Sequence, residues 1–148
     1  MGAAPDLEIR PLIPELIWDY LSFLGAEAFA DNPRWASCFC FFHHAPHRLQ
    51  RWRDRTGEES REPRGSVGSI VCFVVAQPFR GQGIARRLLE AACEGFRARG
   101  MEVAEGYPRK EAVGEAANHT GPLALFLQAG FEIYHQDEGT VVVRKRLS

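Results

Sequence analysis

Apolar and polar residues recur with two different periods along this chain, and the change from one to the other marks its elements. Residues 71–76, Val-Cys-Phe-Val-Val-Ala, form an unbroken β-branched and aromatic run, the pattern of a strand covered on both faces. Pro78 ends it. From Ile84 the apolar residues Leu88, Leu89, Ala92, Cys93 and Phe96 return at helical spacing. Arg86, Arg87, Glu90, Glu94 and Arg97 fall largely elsewhere around that helix, which ends at Gly100. Upstream, residues 7–10 alternate like a short first strand. Pro11 and Pro14 bracket the start of a helix reaching Phe29, with Trp18, Leu21 and Leu24, and Ile17 and Phe23 nearby, on its buried side. Asp31-Asn32-Pro33 breaks that helix. Residues 36–42 are apolar and aromatic and predict a strand, followed by a turn at His43-His44-Ala45-Pro46 and a short helix around 48–55. Residues 54–66, charged and carrying Gly57, Pro63 and Gly65, predict an exposed loop. Downstream come a strand over 101–107, a long loop over 108–120, and a helix that Gly121-Pro122 opens and Gly130 caps. A terminal hairpin follows, with strands over 131–135 and 140–145 joined through Asp137-Glu138-Gly139.

Composition narrows the function classes. A chain of 148 residues has room for one core, which predicts a single domain over 1–148. Eighteen basic residues against 19 acidic ones give no reason to expect nucleic acid or an anionic membrane as the main partner. No apolar run approaches the ~18 residues of a membrane span, and Pro5, Asp6 and Glu8 do not suit a signal peptide, so the cytoplasm is the expected location. Of the four cysteines, Cys72 and Cys93 fall in the predicted core strand and helix, where a thiol packs as a small apolar group, and no structural disulfide is expected. Cys38 and Cys40 with His43, His44 and His47 carry the donor atoms zinc prefers. They lack a Cys-x-x-Cys knuckle, and cysteine among phenylalanines reads as packing, so no metal is predicted.

The strand, turn and helix over 71–99 build a seat for a phosphate. The first N–H groups of a helix have no intrahelical partner, and Gly81 and Gly83 remove the side chains that would keep an anion away from them. Arg80, Arg86 and Arg87 add positive charge. A Walker A loop needs Gly-Lys followed by Ser or Thr, and this turn has Gly83-Ile84-Ala85. A dinucleotide fingerprint needs a third glycine or alanine where Arg86 stands. What remains, Arg80-Gly81-Gln82-Gly83-Ile84-Ala85, resembles the Arg/Gln-x-x-Gly-x-Gly/Ala turn of the GNAT superfamily of acetyltransferases. The preceding Val-Ala-Gln-Pro-Phe, the helix ending at Gly100 and the later Phe126-Leu127-Gln128-Ala129-Gly130-Phe131 resemble the flanking segments of that family.

The resemblance implies an α/β (α+β) fold with a mixed, mostly antiparallel central sheet flanked by helices. The family usually places two or three strands between its first helices and the phosphate turn, and only one, over 36–42, is convincing there ahead of the central strand, so the N-terminal half reads as shortened by a hairpin. Such a gap leaves an exposed edge, which points to dimerisation or weak stability. The resemblance also implies acetyl-CoA as co-substrate. Phe73, Val74 and Val75 would offer backbone groups to its pantetheine, and Gly81, Gln82, Gly83, Ile84, Ala85 and Arg86 would cradle its pyrophosphate beside Arg80. Asn118 stands near a cofactor-contacting asparagine of the family. Acetyl transfer needs a base for the amine and a stabiliser for the departing thiolate. Many relatives supply a tyrosine where this chain has Phe126. Tyr107 and Tyr134 are the substitutes as acid, and Glu105, on the following strand, would serve as base, directly or through water. The alternatives are a Glu105 that faces solvent or pairs an arginine, and a Tyr107 that packs with its hydroxyl satisfied. Trp35, His43 and His44 would border the acceptor. The expected activity is N-acetylation of a primary amine on a small molecule or peptide. A catalytically weak or inactive acyl-CoA-binding or sensing domain is the alternative.

Overall fold

Four strands, β1 (Val67–Ile70), β2 (Val103–Gly106), β3 (Glu132–Gln136) and β4 (Val141–Arg146), pair in the order β1-β2-β4-β3. They belong to a computed structural model that describes residues 6–35, 66–110, 119–138 and 141–148. β1 and β2 run parallel, and β4 pairs antiparallel with both β2 and β3. This is the mixed, mostly antiparallel sheet expected. A parallel pair needs a crossover, and the amphipathic helix α1 (Ile84–Ala98) lies in it. A shorter helix, α2 (Leu123–Gln128), leads into the β3–β4 hairpin.

The core forms where α1 and α2 meet the sheet. Leu89 and Cys93 from α1 join Ile70, Ala104, Val141, Val143 and Leu147 from the strands and their ends. Phe126 of α2 is fully buried and sits edge-on to both Phe73 (centroids 6.0 Å apart) and Phe131 (5.2 Å). Strand glycines make room for these rings. A Cβ on Gly106 would collide with the Phe126 ring, and one on Gly68 with the Phe96 ring.

Three expectations are corrected. The strand placed over 71–76 lies earlier, at Val67–Ile70, and the apolar run beyond it leaves the ladder. Its partner β2 ends opposite Ile70, and the Phe73 N–H turns to the His119 carbonyl at 2.6 Å instead. Residues 7–10 form no strand. They have no ladder partner among the described residues, and Leu7 meets the rest of the chain through its carbonyl, which accepts from Arg87 at 3.3 Å. The N-terminal helix is present as a tight turn (Pro14–Leu16), an α-turn segment (Ile17–Ser22) and a wide turn (Phe23–Glu27). Its buried side, however, is Leu24 and Ala28, while Trp18 is 75% exposed and Ile17 and Leu21 are also exposed. Among the described residues, its buried positions and the Asp31–Arg80 pair lie toward its C-terminal end. The strand expected over 36–42, the helix around 48–55, most of the 54–66 loop and the Cys38 to His47 cluster lie outside the described residues.

Candidate functional site

β1 and β2 are hydrogen-bonded only as far as Ile70 and Gly106. Past that point the chain from β1 borders a cavity of about 500 Å³. Residues 72–75 line one part of it and residues 79–81 and 83–86 another. Ala28, Phe29, Asp31 and Asn32 come from the end of the N-terminal helix, and His119, Gly121, Pro122, Leu125 and Gln128 from α2 and its approach. Ten residues expected to bind a cofactor fall among the described ones, and nine of them line this cavity. The tenth, Gln82, folds its amide back onto the Pro78 carbonyl at 3.1 Å. Asn118 lies outside the described residues. Cys72, expected in the core, is half-buried at the cavity wall because its segment has left the sheet.

The turn has the shape the sequence implied. Gly81 and Gly83 adopt φ of +72° and +78°, backbone that disfavours a side chain, and Gly83 is the residue immediately before α1. Among the described residues no side chain caps α1 there, and beyond its chain neighbours and own helix nothing lies within 4 Å of where a Cβ would stand on either glycine. The first N–H groups of this 15-residue helix have no intrahelical partner, and residues 83–86 that carry them border the cavity. An anion fits that arrangement.

Arg80, also at the cavity, has partners for its side chain within the protein. Its Nε donates to the Val75 carbonyl at 2.8 Å, and its two terminal nitrogens grip the Asp31 carboxylate at 2.5 and 3.1 Å. The guanidinium in turn holds Asp31 below the usual carboxylate range. Arg86, at the cavity, also meets Glu90 one turn along α1 at 3.0 Å.

A family profile described as the acetyltransferase (GNAT) family matches residues 16–114, about two thirds of the sequence. The chain belongs to the GNAT acetyltransferase family. Among solved structures, a PaiA N-acetyltransferase from Thermoplasma acidophilum in complex with coenzyme A aligns over 94% of this chain and 98% of its own, at 11% identity and a TM-score of 0.56. At that identity the likeness speaks for the fold. An IAA acetyltransferase from Bacillus cereus shares 22% identity over 57% of this chain, with a TM-score of 0.45, and this chain spans 65% of it. A GNAT-family acetyltransferase from Streptococcus pneumoniae shares 20% identity over 60% of this chain and 55% of its own, with a TM-score of 0.39. Among curated proteins, none matches the sequence significantly.

Within this GNAT fold the two residues expected to act as base and acid meet, but they do not line the 500 Å³ cavity. Sheet register sets Ser69, Glu105 and Arg144 side by side across β1, β2 and β4, and residues opposite one another share a face. Tyr107, two residues past Glu105, lies on that face and donates its hydroxyl to Glu105 Oε1 at 2.6 Å. The Ser69 hydroxyl is 3.2 Å from Tyr107 Oη, and Arg144 Nε donates to Glu105 Oε2 at 2.5 Å. Glu105 is only 3% exposed, so its charge is held by these partners rather than by water. Burial, then the charge of Glu105 and the bond to it, push the Tyr107 phenol well above its ordinary value. Arg144 is stacked in turn on the Tyr134 ring, 3.6 Å from its centroid, where β3 carries a bulge.

Asp31, Arg144 and Ser69 were not singled out from sequence. Asp31 reads there only as a helix breaker. Arg144 carries a faint signal, a cation following three valines in a predicted strand, which becomes legible once the register puts Glu105 opposite.

Proposed function

We propose that the chain is an acetyl-CoA-dependent N-acetyltransferase that moves an acetyl group to a primary amine of a small molecule or peptide. The observation that carries this reading is the open glycine turn at the head of α1, joined in one cavity to residues 73–75. Gly81, Gly83 and the first N–H groups of α1, from Ile84, Ala85 and Arg86, would hold the pyrophosphate. Backbone groups of Phe73, Val74 and Val75 would meet the pantetheine, and at Phe73 the His119 carbonyl must give way first. Asn118, outside the described residues, is the further proposed cofactor contact. Bound there, acetyl-CoA supplies an activated acyl carbonyl.

The chain's own contribution to the chemistry is removal of a proton from the attacking amine. Glu105 is the proposed base, reached through Tyr107. An amine proton would pass to Tyr107 Oη as the Tyr107 proton passes to Glu105 Oε1, and the reverse transfer would return a proton to the departing thiolate and regenerate Glu105, so the phenol stays neutral throughout. A phenol that resists ionisation suits that concerted transfer.

A second reading, a weak or inactive acyl-CoA-binding or sensing domain, is favoured by Phe126. It stands where many relatives have a tyrosine, and its ring is wholly core, among Phe73, Phe131 and Gly106. Calorimetric titration with acetyl-CoA, followed by thiol release against a panel of amines, separates the two. Binding with turnover is expected. Binding with no turnover against any amine supports the sensing domain, and absence of binding overturns both.

A further inference from the structure

We infer that Asp31 is a positioning residue for the phosphate-binding turn and acts through Arg80. The inference rests on the cofactor reading above. An aspartate lining a cavity meant for an anion works against binding unless its charge is spent elsewhere. Here it is spent on Arg80. The pair is end-on and bidentate, both terminal nitrogens of the planar guanidinium meeting the two carboxylate oxygens. The two side chains are 25% and 23% exposed, so the contact is partly screened from water.

Arg80 Nε adds the bond to Val75, and one guanidinium thus ties three segments together. These are the end of the N-terminal helix, the extended run from β1, and the turn itself, which leaves Arg80 for the left-handed Gly81. Glycines lose more conformational freedom on ordering than any other residue. A turn holding two of them gains most from a neighbour that is fixed in advance, and an ordered cradle binds its ligand without that entropic cost. Arg80 on this account is a bracket, not a ligand of the phosphate.

The two roles predict opposite signs. If Arg80 bound the phosphate directly, removing Asp31 would release a cation toward the ligand and tighten binding. If Asp31 positions the turn, D31A weakens acetyl-CoA binding, roughly fivefold for a partly exposed pair. The experiment is calorimetry of the full chain with acetyl-CoA for wild type, D31A, R80A and D31A/R80A. D31N repeats the test if D31A fails to fold. The expected result is a double variant no weaker than R80A alone, partial recovery in D31E, and an acetyl-CoA KM that rises while kcat at saturation holds. Unchanged or tighter binding in D31A, with wild type binding normally, overturns this inference alone. Failure of wild type to bind overturns the cofactor reading and the inference with it.

Discussion

Arg144 Nε donates to Glu105 Oε2 at 2.5 Å because the β2–β4 register sets the two residues directly opposite each other. Their side chains are 13% and 4% exposed, so each charge depends on the other for the solvation it has lost. Removing one partner strands the other. R144M is expected to cost about 3–5 kcal/mol in chemical denaturation, and E105Q/R144M to regain most of that loss. Turnover separates the structural part of this pair from the catalytic one. E105Q is expected to lower kcat by about 10²-fold or more while acetyl-CoA affinity holds, since Glu105 does not line the cavity.

At Gly83 the backbone and the ligand make separate demands. Its φ of +78° penalises any side chain, but among the described residues no atom beyond its neighbours and own helix stands within 4 Å of the missing Cβ. G83A should therefore lose about 1–2 kcal/mol of stability through backbone strain alone. G83E carries the same strain and adds a carboxylate to the cradle. Its melting temperature should match that of G83A, while its acetyl-CoA affinity falls at least a further tenfold by calorimetry. Equal affinities for the two variants would mean that no anion sits at this turn.

Gly106 makes the opposite demand, for space. A Cβ there would run into the Phe126 ring, which is fully buried and boxed in by Phe73 and Phe131. G106A is expected to destabilise by about 1–3 kcal/mol through overpacking. F126L in the same chain should return part of that loss by giving the new methyl group room. Denaturant midpoints for the two single variants and the double variant read the coupling directly.

How far the sequence reveals the molecule depends on whether a feature is local. α1 and its glycine turn are legible because 15 residues of regular spacing and a short motif lie together. The terminal hairpin is legible for the same reason. The run over 71–76 misleads because apolar residues are needed equally by a strand interior and by a cavity wall. Only the extent of β2 decides between them, and β2 lies some thirty residues on. Trp18 misleads because helical spacing finds an apolar face without saying what covers it. The Asp31–Arg80 bracket spans 49 residues and the Glu105–Arg144 pair 39, and no local pattern joins either. These are the contacts that turn a recognisable motif into a particular site.

Tyr107 ties the geometry to pH. Its hydroxyl lies between Glu105 Oε1 and Ser69 Oγ, and ionising it would set a phenolate beside a buried carboxylate. Burial is the larger cause of the raised value and the charge of Glu105 the next. A phenol that holds its proton more tightly when folded stabilises the fold fully below the unfolded value of 10.0, and that contribution is lost as pH rises through the higher folded value. In that window the unfolded chain has released a proton that the folded chain keeps, so stability falls by up to about 1.4 kcal/mol per pH unit. The hydroxyl's bond to a charged acceptor should make wild type about 1.5–3 kcal/mol more stable than Y107F at neutral pH. That advantage should shrink steadily above pH 10. Phenolate absorbance gives the direct reading, with one tyrosine titrating above the ordinary range and missing from Y107F. A Tyr107 that ionised normally would be free of Glu105, and the proton path through it would be lost.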